Sequence, residues 1–166
     1  MSAWHADLAA SGRRATIWQG FVAWIANPGF ALACHYRLAH WAVARGRMGR
    51  GLAMLVERRM IAVFACHLSA RARIGPGVCF PHPLAIVIGE GVVIGARVTI
   101  YHGVTLGRQR VEVATYPLIG EEATLYCGAT LLGAVTVGDG VRIGAQRLML
   151  GDEPVVARPD ARVTRR

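Results

Sequence analysis

A six-residue period beginning at Leu68 restricts the fold of this chain more than any other feature. Aliphatic or aromatic residues fall at Leu68, Ile74 and Phe80, then, after two extra residues, at Ile88, Ile94, Ile100 and Leu106. After an interruption the period resumes at Ile119, Leu125, Leu131, Val137 and Ile143. The residue four places on is small or β-branched nearly throughout, from Ala72 and Val78 to Val135 and Val141, and Gly follows many of the aliphatic positions. Each hexad then forms a short strand and a corner, three hexads close a triangular coil, and stacked coils bury the aliphatic column. A doubly wound α/β fold needs helices between its strands, and none fits in these intervals.

Residues 1–66 have a different texture. FALACHYRLAHWAVARG and GLAMLVERRMIAVFA carry apolar residues at three- and four-residue spacings, which predicts a small helical domain. Gly46, Gly49 and Gly51 are expected to mark the link between these two helices. The fold class is therefore α+β. A helical segment over 1–66 precedes a parallel β-helix over 67–150, with a protruding loop at about 107–118 and a basic tail over 151–166.

Composition narrows the partners. Apolar residues make up 54% of the chain and charged residues 17%, which implies a compact chain with some apolar surface in subunit contacts. A net charge of +9 favours an anionic partner. The basic residues are scattered without an aromatic-interleaved recognition motif, so nucleic acid is not expected and a phosphate-bearing cofactor is. Cys34, Cys66, Cys79 and Cys127 form no CxxC pair and follow no secretory leader, which points to reduced thiols in the cytoplasm. Residues 15–34 carry no charge, but Gln19, Asn27, Pro28 and Gly29 interrupt them. They read as two buried or subunit-interface helices joined by a turn, with peripheral contact at the inner membrane face as the alternative.

Three stretches, YRLAHW at 36–41, HPLAIVIGEGVVIGARVTIYHGVTLG at 82–107 and the hexads from Ile119, resemble the serine acetyltransferases and their hexapeptide-repeat relatives. The likeness covers about residues 35–150. It implies a left-handed β-helix, a homotrimer or dimer of trimers, acetyl-CoA as co-substrate, no metal, and an active site between neighbouring β-helices. His82 matches the family's catalytic histidine. An imidazole in reach of an alcohol takes its proton as the oxygen attacks the thioester, and a backbone N–H receives the oxyanion. The repeat count adds that His82 and His102 are each the third residue of a hexad, separated by three hexads and a two-residue slip at 86–87. They are expected to stack on adjacent coils at about 5 Å. Cys127 and Ala145 continue this column, and residue-by-residue likeness makes Gly107, Arg108, Cys127, Ala145 and Arg162 contacts of acetyl-CoA. Arg108 stands where the family has glycine.

The chain also departs from the family. Pro81 replaces an aspartate before the catalytic histidine, and Ala114, Thr115, Tyr116 and Pro117 replace an Asp-Arg-His-Pro run that helps to bind serine. Burying the charges of free serine without partners costs several kcal/mol. The expected acceptor is therefore a neutral hydroxyl of a sugar or glycan, contacted by Tyr116 and Tyr101. Serine acetylation with a rearranged pocket and a non-catalytic trimeric scaffold are the alternatives. His102 admits a catalytic, an acceptor-binding or a structural role. His5, His35, His40 and His67 are assigned no chemistry, Cys127 is read as packing, and Glu90 and Asp139 as solvated corner residues. The chain ends in VTRR where the family ends in an isoleucine that docks a sulfhydrylase, so that complex is not expected.

Overall fold

The computed structural model describes residues 3–10 and 17–157. Four helices come first: α1 (Ala3–Ala10), α2 (Ile17–Ala26), α3 (Pro28–Val43) and α4 (Gly46–Phe64). The turn expected at Pro28 and Gly29 is a single residue long. Asn27 caps α3 by accepting the Phe30 N–H at 3.1 Å, and Pro28 opens the helix where no N–H is needed. Gly29 lets α3 press on the corner before His82, since a Cβ there would overlap the Phe80 carbonyl oxygen.

Gly49 and Gly51 do not break the helical pattern as the sequence suggested; both lie inside α4, and the link is only Ala44 and Arg45. Gly49 serves close packing instead, because a side chain there would overlap the Ala42 carbonyl at the end of α3. Among the described residues no helix is long and apolar enough to cross a membrane. The apolar 15–34 segment is only partly buried: Ala23, Phe30 and Leu32 are covered, while Phe21, Trp24 and Ile25 are exposed.

A left-handed parallel β-helix follows. Its first face stacks β1 (His67–Leu68), β3 (Val87–Ile88), β6 (Thr105–Gly107) and the start of β9 (Thr130–Val137). The second stacks β2 (Arg73–Ile74), β4 (Val93–Ile94), β7 (Leu118–Ile119) and the end of β9. The third stacks β5 (Thr99–Ile100), β8 (Thr124–Leu125) and β10 (Arg142–Ile143), with Cys79 bridged to Thr99. Register places Leu68, Ile88, Leu106 and Leu131 in one column, all fully buried. Ile100, Leu125 and Ile143 form another. The six-residue period is this interior, and burial of its aliphatic groups supplies the main driving force.

Residues 151–157 are strand rather than tail. β11 (Leu148–Ala157) pairs in parallel with β9, and its register shifts between Gly151 and Val155. The open edge of β9 offers backbone partners, and Pro154, which lacks an N–H, falls within the irregularity, where none is required.

The helices are tied to the first coil by the YRLAHW stretch. Tyr36 donates its hydroxyl to the Ala72 carbonyl at 2.8 Å and accepts the Ile74 N–H at 3.1 Å. Arg37 pairs with the buried Asp7 carboxylate and also donates to the Ile74 and Gly75 carbonyls. Asp7 in turn accepts the Gly77 and Val78 N–H groups, so its charge is fully compensated. His40 contacts the Ala70 carbonyl, whose own N–H is taken by Glu57.

Candidate active site

His82 stands at the corner that joins the third face to the first, and backbone hydrogen bonds show how it gets there. On successive coils Gly103 donates to the Leu84 carbonyl, Gly128 to His102 and Gln146 to Cys127. Each of these bonds ends on the residue just before a left-handed one, and Ala85, Gly103, Gly128 and Gln146 all have positive φ. The register therefore matches Leu84, not His82, with His102. The two extra residues lie between Pro81 and Leu84, correcting the slip read at 86–87. Ile86 and Val87 are already back in register, since Val87 pairs with Thr105.

His82 and Pro83 thus form a two-residue excursion. The Leu84 N–H closes it by donating to the His82 carbonyl at 2.9 Å, a three-residue turn with Pro83 at its centre. Proline's fixed φ suits that central position. The imidazole projects into the open, 6.3 Å from the Tyr101 ring and 6.2 Å edge-on from the His102 ring. These separations exceed the 5 Å of simple stacking because the excursion carries His82 outward. Among the described residues no carboxylate forms an ion pair with it. Tyr101 is backed by Tyr126, stacked at 5.4 Å and 19°.

The corner therefore unites His82, His102 and Tyr101, and adds Tyr126, which the sequence reading missed. Tyr126 becomes legible once Ile100 is aligned with Leu125, which places residues 101 and 126 in register. Cys127 and Ala145 follow His102 on the next coils.

Tyr116 is not brought to this corner within one chain. Its ring covers Gly91, where a Cβ would overlap it, and its hydroxyl donates to Glu90 at 3.2 Å. Glu90 also pairs with Arg71 at 3.5 Å, so it is engaged and not simply solvated. Gly107 and Arg108 lie at this second corner as well, at the far end of the first face, with Arg108 donating to the Val111 carbonyl. Arg162, read as a further contact, lies outside the described residues, as do Arg158, Arg165 and Arg166.

The 108–117 loop shelters a cavity of about 350 Å3 lined by Gln109, Arg110, Val113, Thr115 and Gly151. Gln109 Oε1 is buried without a hydrogen-bond partner. This acceptor was not singled out by sequence, since nothing in a polar loop residue announces that its carbonyl is enclosed. Among the described residues no group of three or more His, Cys, Asp or Glu is placed to hold a metal.

No family model matches the chain. A serine acetyltransferase of Helicobacter pylori is 43% identical over 128 residues, covering 75% of this chain and 71% of the relative. Serine acetyltransferase 4 of Arabidopsis thaliana is 41% identical over 120 residues, covering 72% of this chain and only 33% of that protein. The chain thus spans a third of the length of this longer plant relative. Among solved structures, a serine acetyltransferase in complex with CoA superposes with a TM-score of 0.78 at 28% identity, over 95% of this chain and 66% of that one. The soybean serine acetyltransferase complexed with serine gives 0.76 at 33% identity, over the same shares of both chains. With this coverage of the bacterial relative and a shared β-helix, the chain belongs to the serine acetyltransferase family.

Proposed function

We propose that this chain is an acetyl-CoA-dependent O-acetyltransferase in which His82 is the general base and the acceptor is a neutral hydroxyl. The observation that carries the reading is the projection of His82 from the Pro83 turn beside a wall of Tyr101 and Tyr126. His82 takes the acceptor proton as the hydroxyl oxygen bonds to the thioester carbonyl carbon. The tetrahedral adduct collapses with cleavage of the C–S bond, giving an acetyl ester, and CoA leaves as a thiol with that proton. Arg110, which lines the loop cavity, suits the phosphates of CoA.

His82 is exposed in the single chain, and so are Leu84, Val87, Leu118 and Leu148 along the coils. This supports self-association around the β-helix, which would enclose the corner and bring a neighbouring loop with its Tyr116 towards it. A trimer suits a triangular coil.

The relatives are named for serine, and serine is the competing acceptor. Against it stand Ala114 and Thr115 in the loop, which offer no charge to an ammonium or a carboxylate. Tyrosine rings match the apolar face of a sugar, and their hydroxyls match its polar edge. Thiol release from acetyl-CoA with L-serine and with a panel of sugars and glycans, followed by product mass, tests the proposal. Sugar-dependent release with a gain of one acetyl group is expected. Release with serine alone would overturn the acceptor, and release with none would favour the scaffold reading.

A further inference from the structure

We propose that the outer face of α2, α3 and α4 docks on the anionic headgroup surface of a lipid bilayer. Two contacts bring α2 and α4 together at His35 of α3, and a third holds Arg45 of the link against α3. The Trp24 ring stacks on His35 at 6.3 Å, Arg59 donates to His35 at 3.2 Å, and Arg45 lies 3.4 Å over the Trp41 ring. Along α4, Met48, Leu52 and Leu55 recur at the spacing of one helix face and continue to Arg59. Met48 is 90% exposed, Leu55 65% and Trp41 51%, an apolar surface rimmed by guanidinium groups.

Charge selects the occupant. Residues 1–66 hold eight arginines and two carboxylates, Asp7 and Glu57. Both carboxylates are consumed internally, Asp7 by Arg37 and the Gly77 and Val78 N–H groups, Glu57 by the Ala70 N–H. Among the described residues no ion pair involves Arg45, Arg47, Arg58 or Arg59. A second copy seated on this face would set arginine against arginine with no carboxylate between them. A polyanion without apolar surface would leave Met48, Leu52 and Leu55 in water. An anionic bilayer satisfies both features: phosphates take the guanidinium groups, Trp24 and Trp41 sit at the interface, and the aliphatic side chains enter the acyl boundary. Since no described helix can cross, the contact is peripheral.

The test is sedimentation of the full chain with vesicles of phosphatidylcholine alone, or with one third phosphatidylglycerol. At least tenfold stronger partition onto the anionic vesicles is expected, reversed by high salt. Arg47→Glu with Arg58→Glu lowers that partition at least tenfold, and Met48→Ser with Leu55→Ser also lowers it. Circular dichroism verifies the fold, with the milder Arg47→Gln/Arg58→Gln pair as a second variant. Partition that ignores lipid charge, is absent from both vesicles, or survives charge reversal would overturn the proposal. So would a Leu55→Glu variant that halves the oligomer mass, which would give the face to a second copy.

Discussion

On the proposed reading, Pro83 does for His82 what a carboxylate partner does for many general-base histidines. No carboxylate pairs with the imidazole among the described residues, so its direction comes from the backbone turn and from the Tyr101 and His102 rings. Pro83→Ala frees φ at the centre of the turn and is expected to lower turnover about tenfold while CoA affinity stays constant, a split read by steady-state kinetics beside calorimetry. A parallel loss of both would show that the turn supports only the fold. Cys34 is set by its surroundings too. Burial, with the Asp7 carboxylate adding to it, pushes its thiol up to about 11. Burial likewise raises the Tyr36 phenol, despite its hydrogen bond to Ile74 and the nearby Arg37 charge.

Among the elements, the β-helix was legible because one physical demand repeats: every sixth residue must fill the interior, and all the aliphatic columns of the period are buried. The helical module was legible in outline but not in its joints. Gly49 looked like a breaker, yet what it does is let α4 approach the Ala42 carbonyl, a tertiary contact with no local signature. The slip before Ile88 was visible, but its position was not, because cross-coil pairings on either side of it, Cys79 with Thr99 and Gly103 with Leu84, fix it. His82 could be named, whereas Tyr116 could be named but not placed, since its partner Gly91 lies across the coil. Gly29 joins the two modules just behind His82, and Gly29→Ala is expected to cost about 1–3 kcal/mol by overpacking. Thermal unfolding checks this, and an unchanged midpoint would mean that α3 can shift without strain.

For the whole molecule, Asp7 links the chain's beginning to the corner at Gly77 and Val78. Asp7→Ala strands Arg37 and two backbone donors and is expected to cost about 3–5 kcal/mol in denaturant unfolding. Cys34 and Tyr36 hold their protons to higher pH in the folded chain than when unfolded, where they ionise near 9.0 and 10.0. Folded values raised in this way leave stability whole below pH 9 and remove it as pH climbs through about 11, so the unfolding midpoint falls over that window. Cys34→Ser removes its own share of the loss that begins near pH 9, to which Cys66 and Cys79, also raised by burial, add theirs. The most direct test of the central claim is acetyl transfer by wild type and His82→Ala under saturating acetyl-CoA, with CoA affinity measured on the same samples. A drop in turnover of about 10²–10⁴-fold at unchanged affinity is the predicted result. Turnover that survives the substitution would remove His82 as the base and contradict the account.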